Sequence, residues 1–445
     1  MTHEAILQHI ISQAKAMQPQ LTTLRRSFHR FPETGWLEMR TSAIIAKRLT
    51  ELGYDVLTGR SVCLEEARMG VPAPEAIAAH AEQVKQQPGT PLDFLNEDMQ
   101  QGFTGVIGIL RCGEGPVIGL RFDIDALGMI ECPDETHRPT RDEFASQNHG
   151  MMHACGHDGH AAMGLGIAAV LMSLRNELHG TVKLLFQPGE EGARGARTMV
   201  AAGHLDDVQF FLGNHLAPTE SLDDGDCTPG TWGSLATAKY DAAFTGRASH
   251  AGGFPEQGCN ALLAASTAVL GLHAIPRHSA GQTRINVGRL TAGTGRNVTP
   301  DRALLELEVR GETTEINAYM MQQAQTILEG AAAMYGCQVE IRCVGMAESQ
   351  VSDETLWQLV ADTVRRDLPH LTVSSQPNSR NWGSEDISIM MNRVQQHGGL
   401  ATYMRTTTPM AGAQHTVTFD FDETVLSRGV QVFCAAVVRL MEEHA

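Results

Sequence analysis

The sequence predicts an α/β protein: a mixed, largely parallel sheet flanked by helices, interrupted by a smaller α+β unit of ferredoxin-like pattern. Three observations predict it. Apolar strand-like runs alternate with helix-period segments through the first half of the chain, the texture of a sheet with crossover helices. From about residue 237 to 344 the order becomes strand, helix, strand, strand, helix, strand, which is the ferredoxin-like order. The length of 445 residues also exceeds what one hydrophobic core usually serves. The expected division is a discontinuous larger unit, 1–234 and 346–445, around an inserted unit, 235–345.

Taken in order, residues 42–52 carry apolar side chains at helical spacing, and Gly53 supplies a stop before a strand-like 54–57. The stretch 58–102 is polar and rich in Pro and Gln, with Val71-Pro72-Ala73-Pro74 inside it. Structureless loops of that length are foreign to compact domains, so it reads as an insertion with its own short helices. Apolar runs 106–110 and 117–122 flank Gly113-Glu114-Gly115-Pro116 and read as strand, turn, strand. A buried helix over 161–174, a strand over 181–186 and a helix over 196–202 follow. In the inserted unit the strands are 239–244, 283–289, 303–309 and 338–344, with helices over 260–274 and 318–334. After Gly345 the α/β texture resumes.

Hydrophobic residues at 42% and charged residues at 19% describe an ordinary folded chain. The formal net charge of -17 argues against a nucleic-acid or anionic-membrane partner, and it means that an acidic substrate needs locally concentrated arginines. Residues 1–18 include Glu4 and lack the basic, then apolar, layout of a secretory signal. The longest weakly polar stretch, 161–174, is well short of the ~20 residues a membrane span requires. Nine cysteines are scattered without framework spacing, which fits reduced thiols and a cytoplasmic location.

Chemistry concentrates in a few segments. In Gly150-Met151-Met152-His153-Ala154-Cys155-Gly156-His157-Asp158-Gly159-His160, imidazole and thiol groups suited to divalent transition metals crowd together. Gly156 and Gly159 favour a loop; the rival geometry sets His153 and His157 one turn apart on a helix. In Gln187-Pro188-Gly189-Glu190-Glu191-Gly192 an apolar strand ends in two adjacent carboxylates, and neighbours on an extended end face different ways, so one can ligate while the other holds a water. A solvated acidic turn is the plain alternative. Asp123 and Asp125 sit at i, i+2 at the end of an apolar strand, where α/β active sites form. His215 and His415 stand alone, and a lone histidine is more often structural.

Together these segments resemble the M20 metallopeptidase family, in its aminoacylase-like amidohydrolase branch. The matching pieces are His29-Arg30-Phe31-Pro32-Glu33, Asp123-Ile124-Asp125-Ala126-Leu127, His153-Ala154-Cys155-Gly156-His157-Asp158 and the Glu190-Glu191 turn. Further matches are Gly213-Asn214-His215, Ser249-His250-Ala251, Gly295-Arg296-Asn297-Val298 and His415 followed by Phe419-Asp420. They fall in family order over nearly the whole chain; Gly128 departs from it, where many relatives have Pro. The resemblance implies a catalytic unit with an inserted lid and dimerisation unit. It implies two divalent metal ions (Mn²⁺ or Zn²⁺, with Co²⁺ or Ni²⁺ as alternatives) held by Cys155, His157, Glu191, His215 and His415.

In the same reading Glu190 is the general base, Asp125 orients a metal-binding histidine, and His250 meets the oxyanion across a dimer interface. Asn297 and Arg310 take the substrate's carboxylate, while Arg194, with Arg197 nearby, is assigned to a second carboxylate. The implied substrate is an N-acyl-glutamate, p-aminobenzoyl-glutamate first and a hippurate-like amide as the alternative. The implied assembly is a homodimer or a heteromer with a homologous chain. A non-catalytic metal-binding protein is the reading from another class, and the intact ligand set and base weigh against it.

Overall fold

The structure is a computed structural model, and it describes residues 1–220, 222–377 and 383–444. The strands of its two main sheets are, in chain order, β1 (Asp55–Thr58), β2 (Val106–Arg111), β3 (Val117–Asp123), β4 (Thr181–Gln187), β5 (Phe210–Pro218), β6 (Cys227–Thr228), β7 (Ala236–Thr245), β8 (Thr283–Ala292), β9 (Arg302–Gly311), β10 (Gln338–Ala347) and β11 (Leu400–Thr408). The larger sheet runs β1-β2-β4-β3-β5-β11-β6. Its centre, β4-β3-β5-β11, is parallel, and antiparallel strands close both edges. The runs 106–110 and 117–122 are strands, but they do not pair with each other: β4 lies between them. Central strands read as continuous apolar runs because both faces are covered.

One face is covered by helices His3–Arg30, His157–Ser173 and Val425–Glu443, the other by Ala196–Ala201 and Ile387–Gln396. Helix His157–Ser173 is buried on nearly every side, so its sequence shows no amphipathic stripe. The first helix spans 28 residues with Pro19 inside it, a length the sequence did not announce. The stretch 58–102 carries helix Pro74–Gln86 and several single 3₁₀ turns. Its His80 reaches Glu33 at 3.0 Å, while Glu33 also caps the N–H groups of Arg40 and Thr41.

The second sheet, β10-β7-β9-β8, is wholly antiparallel, with helices Ala261–His273 and Thr314–Met334 packed together against it. Its buried side chains form their own cluster, built on Ala242, Phe244, Leu305, Val309, Met320 and Leu328. Among the described residues no helix is long and apolar enough to cross a membrane.

Candidate active site

The site gathers at the carboxyl ends of β3, β4, β5 and β11. The chain passes from β3 to β4 on one side, then back across β3 to β5 on the other, and crevices in open α/β sheets form where the strand order reverses in this way. After β4, Pro188 cannot continue the ladder, and the chain turns outward at Glu190 and Glu191. Asp125 fixes that turn: its carboxylate accepts the N–H of Glu190 at 3.0 Å and of Glu191 at 2.9 Å. Glu38 accepts the Gly189 N–H at 2.7 Å. Asp386 accepts from Gln187 at 2.7 Å, Ala196 N–H at 2.9 Å and Arg121 at 3.2 Å. Buried carboxylates therefore hold the whole turn from behind.

Cys155 lies at the end of a loop, and the loop reading stops there. Gly156 caps the following helix at φ 103, a left-handed conformation that glycine adopts without strain. His157, Asp158, Gly159 and His160 then form the helix's first turn, which corrects the expectation that Gly159 keeps this segment non-helical. The i, i+4 alternative fails as well: His153 precedes the helix, its ring nitrogens have no hydrogen-bond partner, and burial lowers its pKa to about 3.

All five candidate ligands converge. His157 Nδ1 donates to the Asp125 carbonyl at 2.9 Å, which leaves Nε2 turned inward, buried and without a hydrogen-bond partner. His215 Nδ1 donates to the Leu216 carbonyl at 2.6 Å, and its Nε2 lies 3.4 Å from Cys155 Sγ. His415 Nε2 lies 3.4 Å from Glu191 Oε1. The donor atoms of Cys155, Glu191 and His415 fall within 4.8 Å of one another, as do those of His157, Glu190 and Glu191 and those of Asp123, His157, His160 and His215. Cys155 thus touches both halves of the cluster. His160 is already spent, donating to Asp123 at 2.5 Å and accepting the Leu216 N–H at 2.9 Å.

The electrostatics fit cations. A buried polar atom without a partner costs about 1–3 kcal/mol, yet His157 Nε2 is such an atom and Glu191 Oε1 has only the His415 imidazole at 3.4 Å; both face this cluster. Burial lowers His215 to a pKa of about 4, which keeps the imidazole neutral, the form that ligates. Burial pushes the Cys155 thiol well above its ordinary range, so a thiolate here calls for a cation beside it. Burial and then Glu385, Glu191 and Asp386 push Glu190 well above the usual carboxylate range.

These groups open on a cleft of about 520 Å³, lined also by Arg310, Lys239, Ser384, Glu385, Tyr403 and Arg405. Arg310 enters from β9, paired with Glu308 at 3.1 Å. Arg194 does not line the cleft, contrary to expectation. It donates to the carbonyls of Glu191 at 2.8 Å and Gly70 at 3.1 Å, so it braces the turn from outside. Arg197 is exposed. His250 and Asn297 are also exposed and lie outside the cleft of their own chain. They are neighbours, since Ala251 N–H donates to the Asn297 carbonyl at 3.1 Å, and His250 Nδ1 accepts the Gly253 N–H at 2.9 Å, while its Nε2 makes no hydrogen bond among the described residues. Glu385, Tyr403, Lys239 and Arg405 are cleft residues that sequence reasoning did not single out.

The sequence profile of Peptidase family M20/M25/M40 matches residues 119–439. The chain belongs to this family. This M20 member is 46% identical over 418 residues to indole-3-acetyl-aspartic acid hydrolase of Enterobacter agglomerans, covering 94% of this chain and 95% of that protein. It is 45% identical over 417 residues to one of the subunits of p-aminobenzoyl-glutamate hydrolase from Escherichia coli (strain K12), covering 94% of each. Among solved structures, the aminobenzoyl-glutamate utilization protein of Klebsiella pneumoniae superposes with a TM-score of 0.82 at 39% identity, covering 96% of both chains. A Bacillus subtilis protein described as a dinuclear metal binding peptidase of the M20 family superposes with a TM-score of 0.65 at 26% identity, covering 96% of this chain and 99% of that one. This M20 member is a metal-dependent amide hydrolase.

Proposed function

We propose that this M20 enzyme cleaves the amide bond of p-aminobenzoyl-glutamate, releasing p-aminobenzoate and glutamate. The observation that carries the reading is Glu190, a buried carboxylate hung beside five converging donors, in a chain 45% identical to a hydrolase of that substrate. Cys155, His157, Glu191, His215 and His415 would hold two divalent ions, with Mn²⁺ or Zn²⁺ preferred and Co²⁺ or Ni²⁺ compatible with the same donors. When bound, those ions supply Lewis-acid polarisation of the amide carbonyl and acidify a water.

The residues of the chain do the rest. Glu190 takes a proton from the attacking water, the C–O bond forms, and the carboxyl group then hands that proton to the amine nitrogen as the C–N bond breaks. Asp125 keeps Glu190 and Glu191 in register through their N–H groups and orients His157 through its carbonyl. His250, through its Nε2, stabilises the oxyanion from a second copy of the chain. Asn297 and Arg310 receive the α-carboxylate. The exposure of His250 and Asn297 away from their own cleft supports a dimer, or a heteromer with a homologous chain, in which each chain completes the other. The division into a catalytic unit (1–234, 346–445) and a lid and dimerisation unit (235–345) belongs to the same proposal, supported by the separate core of the second sheet.

A second reading has its own support: the 46% identity to a hydrolase of an acyl-aspartate favours a broader N-acyl amino acid specificity. Rates of amine release from p-aminobenzoyl-glutamate, indole-3-acetyl-aspartate and hippurate decide between them. The first reading expects the glutamate conjugate to be turned over at least about tenfold better than the others; equal rates would favour the broader one.

A further inference from the structure

The first reading puts an amino acid with two carboxylates beside Glu190, as does the acyl-aspartate that motivates the second, in a cleft that is itself rich in acids. Glu190, Glu191, Glu220 and Glu385 all line it. An anionic group settles there only against cations that are not already neutralised. Arg310 is engaged by Glu308. Lys239 makes no ion pair among the described residues, but it shares the inserted sheet with Arg310 and stands opposite Glu308 in the β7–β9 pairing. Arg405 is the cation that the main sheet brings to the cleft. Among the described residues its guanidinium makes no ion pair and no hydrogen bond, although it is half-buried in the floor of the cleft. It sits on β11 in direct parallel register with His215, one strand spacing away, about 4.8 Å between backbones. Two residues earlier on the same face, Tyr403 is tied to Glu385 at 3.2 Å, so the strand beneath Arg405 is fixed.

We infer that Arg405 is the specificity-determining residue for the side-chain carboxylate of the leaving amino acid. This inference rests on the amide-hydrolase reading above and assigns to Arg405 the role that Arg194 cannot fill. A planar guanidinium pairs two N–H donors with one carboxylate. Arg405 reaches the cleft from the main sheet and Arg310 from the inserted sheet, which offers the two carboxylates of a glutamyl or aspartyl group a cation each. Glycine conjugates leave Arg405 unused. The neutral glutamine conjugate offers it a single uncharged amide oxygen, so the bidentate, charge-assisted pair is lost.

The test compares p-aminobenzoyl-glutamate with p-aminobenzoyl-glutamine in the metal-loaded protein. Wild type is expected to prefer the glutamate conjugate in kcat/KM, and Arg405→Gln to reduce that preference by roughly 10- to 100-fold, the worth of a charge-assisted hydrogen bond, mainly through KM. Arg405→Lys is expected to retain an intermediate preference. The same ratio is read without turnover by calorimetric binding of both compounds to Glu190→Gln and to Glu190→Gln/Arg405→Gln. If wild type hydrolyses neither compound while the binding ratio still depends on Arg405, the hydrolase reading falls and the carboxylate site stands. If Arg405→Gln leaves the glutamate-to-glutamine ratio unchanged, weakens both equally, or if neither compound binds, the assignment is overturned.

Discussion

His415 Nε2 stands 3.4 Å from Glu191 Oε1, although the two residues come from opposite halves of the sequence. The contact depends on backbone strain: His415 holds φ 61, while its N–H donates to the Ala154 carbonyl at 2.8 Å. A non-glycine residue in that region costs on the order of 1–3 kcal/mol and persists where function requires it. His415→Gly removes the strain and the imidazole together. Metal-free His415→Gly is therefore expected to melt no lower than metal-free wild type, while holding about one metal equivalent less and losing at least about 100-fold in turnover. Metal analysis and melting curves of the two proteins check this.

Asp125 carries the paired N–H groups of Glu190 and Glu191. In Asp125→Asn one acceptor becomes a donor that faces an N–H. Outer groups of this kind typically cost 10- to 100-fold in metal affinity or activity. Asp125→Asn is expected to show a loss of about that size, mainly in kcat, with the fold kept by circular dichroism; an unchanged kcat would remove Asp125 from the account.

Behind the Cys155 loop, Arg25, His29, Asp158, Glu131 and Asp420 form a buried charge network. Arg25 reaches Asp158 at 2.8 Å, and His29 reaches Asp158 at 2.8 Å and Glu131 at 2.9 Å. Burial opposes the ionised carboxylates, but Arg25 and His29, joined at Asp420 by Arg138, outweigh it and hold Asp158, Glu131 and Asp420 below their ordinary range. Depressed carboxylates contribute stability that is complete above their unfolded pKa of about 4 and lost as pH falls through the folded values. His29 works in the other direction: burial and Arg25 oppose its charge, the two carboxylates win, and its pKa is raised. Its contribution is complete below about 6.5 and lost as pH rises through the raised value. Melting temperature is thus expected to fall below pH 4, and Arg25→Met to cost about 3–5 kcal/mol at pH 6 by removing the guanidinium that Asp158, Asp420 and Glu423 share. A variant as stable as wild type would contradict the network's role.

If a second chain supplies His250, two inactive variants should rescue one another. Glu190→Ala lacks the base and His250→Ala lacks the partner's imidazole, but in a mixed dimer one cleft has both. Unfolding and refolding the two together is expected to restore up to about a quarter of wild-type activity. Persistent inactivity in a verified mixed dimer would place His250 outside the reaction.

Much of this was legible in the sequence for a physical reason. Metal chemistry demands particular donor types, and their spacing along strand ends leaves marks such as Cys155-Gly156-His157 and Glu190-Glu191. The β4 insertion between β2 and β3 was not legible, because both strands are mostly apolar and a tight Gly-Pro turn looks the same whether or not its strands pair. The helix that begins at His157 was hidden by Gly159, which is there for close approach: a Cβ would stand 2.7 Å from Phe421. Arg405 and Lys239 gave no signal, since one cation in a strand looks like any solvated surface residue until the fold sets it in a cleft. Arg194 misled for the converse reason, since nearness in sequence to the glutamate turn did not decide which side of the turn it faces.

The central claim is that Glu190 moves the proton while its neighbours hold the metal. The most direct measurement is metal content and p-aminobenzoate release, taken together, for wild type and Glu190→Ala. The account predicts equal metal content in the two proteins, with turnover of p-aminobenzoyl-glutamate in wild type and a loss of at least about 1,000-fold in the variant. A Glu190→Ala protein that binds metal normally and still hydrolyses the amide at a rate near wild type would contradict it.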